Sequence, residues 1–146
     1  MKLNPEHGKI ILRIFLSLVF LWFGINQVYA PAEWVTFVPD FVGQIIPANT
    51  VVIINGSMEI LFGLMMISGF YLRLSSLVMG IHLFFIALSM GMNVIAVRDY
   101  GLTFATLALF FLGPDKLCID ARLKKKEVFA SALKEQKEQP MQTDSS

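Results

Sequence analysis

Four long apolar runs dominate this sequence and limit the folds that it can adopt. Three of them, residues 10–29, 51–70 and 74–92, are each close to the 20 or so helical residues that cross a bilayer core of about 30 Å. The fourth run, residues 102–112, reaches that length only if its helix begins near residue 96. We therefore predict four membrane-spanning helices, at about residues 10–29, 51–70, 74–92 and 96–112.

Charged residues are scarce in this region and concentrated after it. Only seven lie between Ile10 and Gly113, whereas thirteen lie between Asp115 and Ser146. Lys and Arg collect on one side of the four runs, which is the cytoplasmic side in most membrane proteins. We expect a multi-pass protein of the cell inner or plasma membrane with both termini in the cytoplasm.

The same distribution divides the chain into two parts. Residues 1–117 form the predicted membrane domain, and residues 118–146 form a charged, partly disordered cytoplasmic tail in which residues 123–138 are compatible with a helix. The lipid bilayer is thus the expected environment. A formal net charge of +1 gives no reason to expect nucleic-acid binding.

Few residues are suited to hold a metal or a covalent cofactor. The sequence has one cysteine and two histidines, which excludes an internal disulfide and a cysteine-based zinc or iron–sulfur site. Glycine-rich nucleotide-binding motifs are also absent from the sequence. We expect neither a metal site nor a covalently bound cofactor.

Small and polar residues recur at steps of three and four along each predicted span. This spacing places them on one side of a helix, where they allow membrane helices to approach and hydrogen-bond. The four stripes are Arg13, Ser17, Phe20, Gly24 and Gln27; Asn55, Gly56, Glu59 and Gly63; Ser75, Met79, His82, Ile86, Ser89 and Asn93; and Arg98, Gly101, Ala105 and Ala108, with Asp99, Thr103 and Thr106 adjacent. We predict that these stripes face one another in an all-α transmembrane four-helix bundle.

The first outer loop, residues 30–50, carries Trp34, Phe37 and Phe41 between three prolines. Such a segment suits the headgroup region of a bilayer. Two interpretations follow: an interfacial aromatic anchor, or a lid over a cavity in the outer leaflet.

Glu59 is the most informative residue, because a charge inside a membrane span costs roughly 2.5–3.5 kcal/mol on insertion scales. It requires a partner, a proton or a cavity. Candidate partners are Arg98, Asn26, Gln27 and His82. If Asp99 instead neutralises Arg98, we expect Glu59 to hold a proton.

Three interpretations of Glu59 follow: a polar lock that fixes helix register, a site of proton or quinone chemistry, and part of a solute pathway. Arg13, near the predicted cytoplasmic interface, is expected to extend its charge into the headgroups.

Several segments resemble the DoxX family of small four-span membrane proteins over about residues 10–117. They are LR at 12–13, FLWFGI at 20–25, AEWV at 32–35, NGSMEILFGL at 55–64, VRDYGL at 97–102 and LGP at 112–114. In this resemblance Glu59, Arg98 and Asp99 stand at the family's recurring polar positions, and Trp22 and Gly24 at its first-span signature. Related methylamine-utilisation proteins handle disulfides, a role for which this chain lacks the cysteine pair.

The resemblance implies a subunit of a quinone-linked complex, similar to terminal quinol oxidase or thiosulfate:quinone oxidoreductase. Glu59, Arg98 and Asp99 are then the catalytic candidates, and quinone is the expected substrate. Asn26, Gln27, Trp34 and His82 are the substrate-binding candidates. The protein partners to consider are a redox partner subunit and a second copy of the chain.

The alternatives are a non-catalytic membrane component with a structural ion pair and a small-solute transporter. Whether the chain is itself an enzyme stays open.

Overall fold

The computed structural model describes residues 5–138, and this part of the chain is helical without strands. Four of its helices are long and apolar enough to cross a membrane. The helices are α1 Pro5–Tyr29, the short α2 Asp40–Gly43, α3 Ala48–Ser68, α4 Leu72–Ser89, α5 Val94–Leu112 and α6 Ile119–Glu138. The predicted all-α transmembrane bundle is thus confirmed.

The bundle has two distinct ends. The loop end carries residues 30–47, which form two 3₁₀ turns, Pro31–Glu33 and Val35–Phe37, followed by α2. The tail end carries the start of α1, the connection from α3 to α4, and α6. Residues 139–146 of the predicted disordered tail lie outside the described residues, whereas most of the rest of that tail forms α6.

The helix bounds differ from the predicted spans because local capping, which hydropathy does not register, ends each helix. The third span, predicted to run to residue 92, ends at Ser89. Gly91 then adopts a φ of 72°, and the Asn93 side chain accepts a hydrogen bond from the backbone N–H of Ala96 to begin α5. At the other end of the bundle, Gly69 with a φ of 68° ends α3 two residues before the predicted limit.

Glycines set the spacing of the helices. α1 packs most closely on α3, and α4 packs most closely on α5. A Cβ added at Gly24 would lie 2.7 Å from the backbone oxygen of Gly56, and one added at Gly56 would lie equally close to Gly24. These two backbones therefore touch, as small residues permit in membrane helices.

The predicted stripes on α1 and α3 are buried against each other, including Arg13, Gln27 and Glu59. The opposite faces expose large apolar side chains such as Phe15 and Ile54, as lipid contact requires. On α4 the predicted stripe is buried at Ser75 and Met79, but Ser89 and Asn93 are exposed.

The predicted stripe on α5 is wrong in part, because Gly101 and Ala108 are exposed. The buried face is Ala96, Asp99, Thr103, Thr106 and Leu109, which includes the three residues predicted to lie adjacent to the stripe. The hydroxyl of Thr106 donates to the carbonyl of Leu102 in its own helix, so that it can be buried without another partner.

The expectation for Arg13 is also wrong. Its side chain is 3% exposed and forms an ion pair with Asp115, with 2.7 Å between Nε and Oδ2. Arg13 Nη1 also donates to the carbonyls of Met66 and Ile67 at the end of α3. Four hydrogen bonds, two to the Asp115 carboxylate and two to backbone carbonyls, therefore keep this cation inside the bundle instead of at the headgroups.

The first residues of the predicted tail belong to the packed bundle. Cys118 is fully buried against Gly69. The Asp120 carboxylate accepts from the backbone N–H groups of Tyr71 and Leu72 at the start of α4. The predicted boundary after residue 117 therefore divides a segment that holds the tail end together.

Candidate functional site: a cavity with a polar floor

A cavity of about 680 Å³ opens between α1, α3, α4 and α5 at the loop end. This volume is within the range of small-molecule sites, about 300–1,000 Å³. The 30–47 loop contributes Trp34, Phe37, Val38, Pro39 and Phe41 to the lining. Aromatic rings from the helices complete much of the wall: Phe20, Trp22, Phe23 and Phe85.

Four hydrogen-bonded side chains lie in this cavity, and we call them the polar floor: Gln27, Asn55, Glu59 and His82. Gln27 Nε2 donates to Glu59 Oε2 over 3.2 Å. Asn55 Nδ2 donates to Glu59 Oε1 over 3.0 Å and to Gln27 Oε1 over 2.7 Å. His82 Nε2 lies 2.7 Å from Asn55 Oδ1. Three helices are thus joined through one asparagine.

The close contact between α1 and α3 brings Gln27, Asn55 and Glu59 of the polar floor together. Glu59 lies eleven residues after Ala48, about half-way along the 21-residue α3, and is 4% exposed. Asn55 is one turn nearer the loop end on the same helix face. Gln27 reaches both because a Cβ on Gly56 would stand only 2.8 Å from the Gln27 Cβ. The close approach of α1 and α3 therefore builds the floor.

An ion pair lies nearer the cavity mouth. Both Nε and Nη2 of Arg98 are 2.8 Å from Asp99 Oδ1. The Arg98 side chain is 51% exposed, and its guanidinium lies 5.2 Å from the centre of the Phe23 ring on α1. Within residues 5–138, Arg98 forms its ion pair with Asp99 and not with Glu59. Glu59 depends instead on the amides of the floor.

The cavity brings together six of the seven sequence-predicted site residues. Glu59, Arg98, Asp99, Gln27, Trp34 and His82 all line it. Asn26 does not line the cavity, and its amide donates to the carbonyl of Trp22 one turn back on α1. The sequence did not single out Asn55 as a site residue, although its position four residues before Glu59 was a usable signal.

On the tail side of the cavity the helices meet in a buried core that includes Leu16, Met66, Met79 and Leu109. Among residues 5–138, no group of three or more His, Cys, Asp or Glu side chains could hold a metal ion. The site is therefore a largely apolar cavity with a hydrogen-bonding floor.

Comparison with known proteins gives one family. The sequence matches the family model described as DoxX over residues 8–92. No curated protein and no solved structure matches the chain significantly. The matched part contains all four residues of the polar floor, whereas Arg98 and Asp99 lie beyond it.

Proposed function

Because the chain belongs to the DoxX family of membrane proteins, we propose that it binds a quinone in this cavity as a subunit of quinone-linked electron transfer. Glu59 is the group that exchanges a proton with the bound ring. The Arg98–Asp99 pair orients the ligand from the cavity mouth. A redox partner chain completes the electron transfer.

The cavity itself is the observation that carries this proposal. A quinone is a flat, largely apolar ring with two polar oxygens, and it reaches its protein sites from the membrane. Apolar walls with a few converging polar groups are what such a ligand requires. Here the walls are largely apolar and include seven Phe and Trp side chains, and Glu59 lies at the floor within a chain of hydrogen bonds.

The chain's two tryptophans provide a direct binding assay. Both Trp22 and Trp34 line the cavity, so a quinone that enters it is expected to quench the protein's tryptophan fluorescence. The measurement is a titration of the purified protein in detergent with a short-chain ubiquinone. Saturable quenching is the expected result.

Glu59→Gln tests the role of the carboxyl group in the same titration. This variant keeps the side-chain size but removes the exchangeable proton. The ligand for this comparison is the matching ubiquinol, because its hydroxyl groups can donate to Glu59. Losing a hydrogen bond to a charged group corresponds to about a tenfold loss of ubiquinol affinity. Asp40→Asn is the matched control, because Asp40 is exposed and does not line the cavity.

The rival function, a non-catalytic membrane component, predicts a different outcome. In that case Glu59→Gln lowers thermal stability but leaves ubiquinol affinity and proton uptake unchanged. That result would show that the polar floor is only a structural lock, and it would contradict the proposal.

A further inference from the structure

The hydrogen-bond directions within the polar floor are fixed by its own geometry. Asn55 Nδ2 lies close to two oxygens, those of Gln27 and Glu59. If the Asn55 amide were turned over, its oxygen would face the Gln27 oxygen at 2.7 Å with no hydrogen between them. Turning over both amides would require a proton on each Glu59 oxygen, and a carboxyl group carries at most one. The amides of Asn55 and Gln27 must therefore both donate to Glu59.

This arrangement determines the state of His82. Because Asn55 uses both of its N–H groups on Gln27 and Glu59, its oxygen is the atom that faces His82 Nε2. An oxygen acceptor requires a proton on Nε2. A neutral imidazole carries one N–H, so its Nδ1 is then a hydrogen-bond acceptor.

With Glu59 ionised, which is the state that can take a proton from the ligand, the floor offers mainly acceptors. Each Glu59 oxygen accepts one amide N–H, and a carboxylate has about four acceptor positions, so about two remain. His82 Nδ1 adds a third. The second N–H of Gln27 is the one donor left in the network.

We propose that, while Glu59 is ionised, the cavity is selective for the reduced, hydroxyl-bearing form of its ring ligand, a hydroquinone or a related phenol, over the quinone. A hydroxyl group can donate to Glu59 or His82, whereas a quinone carbonyl can only accept. Asn55 acts as a positioning residue, because it directs the protons of the network without needing to touch the ligand. The inference rests on the proposed function and specifies the redox form that the site binds.

The protonation of His82 is directly measurable. The chain has two histidines, so the His7→Gln variant leaves His82 as the single ring in a ¹⁵N-histidine NMR spectrum. His7 is exposed near the start of α1 and does not line the cavity. We expect a protonated Nε2 and an unprotonated Nδ1 at neutral pH. A proton on Nδ1, in either the other tautomer or the imidazolium, would overturn the inference.

A ligand series with constant ring and tail tests the selectivity. The compounds are an alkyl hydroquinone, its monomethyl ether, its dimethyl ether and the matching quinone, titrated anaerobically by tryptophan quenching. The hydroquinone and monomethyl ether each retain a hydroxyl group, and we expect both to bind about tenfold tighter than the other two. In Glu59→Gln this difference should largely disappear, while Asp40→Asn should preserve it.

The outcomes separate this inference from the proposed function. Equal affinity for all four compounds, or tighter binding of the quinone, would overturn the selectivity and leave a ring-binding site. An unchanged selectivity in Glu59→Gln would also overturn it. If none of the four compounds quenches saturably, the proposed function fails together with the inference.

Discussion

The ion pair between Arg13 and Asp115 joins residues that are 102 positions apart, and both side chains are buried. Removing one partner of a buried pair leaves the other charge unpaired, which costs about 3–5 kcal/mol. We expect a loss of this size in Asp115→Asn, measured by denaturant unfolding in detergent micelles. The exposed Asp40→Asn is the control and should change the free energy of unfolding little.

The same pair makes stability depend on pH, which provides a second measurement. Burial acts to raise the pKa of Asp115, but the hydrogen bond from Arg13, the Leu117 backbone N–H and the Arg13 charge outweigh it and lower this pKa below 3.8. A lowered pKa stabilises the fold at neutral pH, and this contribution is lost as the pH falls through the folded-state pKa. Wild type should therefore lose more stability on acidification than Asp115→Asn. Equal acid slopes would contradict this.

The site residues show how far helical spacing in the sequence can identify the residues that face inward. Helical spacing identified Glu59, Gln27 and His82, because polar residues on one face of a span are best explained by an inward orientation. Spacing does not separate neighbours such as Asn26 and Gln27, which differ by one position. Packing against Gly56 decides between them, and that contact depends on another helix.

At the scale of elements, the contact between α1 and α3 depends on two glycines. In Gly24→Ala the new Cβ would lie 2.7 Å from a backbone oxygen and 3.0 Å from the backbone nitrogen of Ile60, so the helices must separate. Overpacking of this kind costs about 1–3 kcal/mol, and we expect that loss in the same unfolding assay.

Gly101→Ala on α5 is the matched control for this substitution. A Cβ at Gly101 meets no atom within 4 Å, and alanine is favoured over glycine in a helix by about 1 kcal/mol. This variant should be as stable as wild type or slightly more stable. A similar loss in both variants would show that the α1–α3 contact is not what limits the fold.

Hydropathy predicted the existence and order of the four spans but not their limits or the orientation of α5. The limits depend on caps such as Asn93 and Gly69, which act over single residues. The orientation of α5 depends on Thr103 and Thr106, which look no more inward-facing in the sequence than Ala105 and Ala108. The Thr106 hydroxyl bonds to its own helix, so the position of this residue in the sequence does not show whether it is buried.

At the scale of the whole molecule, the two ends of the bundle differ in a way that favours function at one of them. At the tail end, Arg13, Asp115 and Asp120 tie α1, α3, α4 and the start of α6 together. At the loop end, the two helix pairs enclose a cavity that the 30–47 loop partly covers. The sequence predicted this loop to be either an anchor or a lid. Its aromatic side chains in the cavity wall favour the lid.

Because the two ends differ, the function of the cavity depends on which side of the membrane the loop end faces. The single cysteine of the chain makes this orientation straightforward to measure. This cysteine, Cys118, is fully buried, and burial raises its pKa to about 11, so very little reactive thiolate is present at neutral pH. If one cysteine is introduced elsewhere, almost all of the maleimide labelling will therefore come from that residue and very little from Cys118. Gln44 at the loop end and Ser131 on α6 are both exposed.

With the tail in the cytoplasm, as the distribution of Lys and Arg predicts, Gln44→Cys should react with a membrane-impermeant maleimide in intact cells. Ser131→Cys should react only after the membrane is permeabilised. The reverse pattern would place the cavity mouth at the cytoplasmic face. A quinol bound there would then release its protons towards the cytoplasm, so the labelling experiment also decides which compartment the polar floor serves.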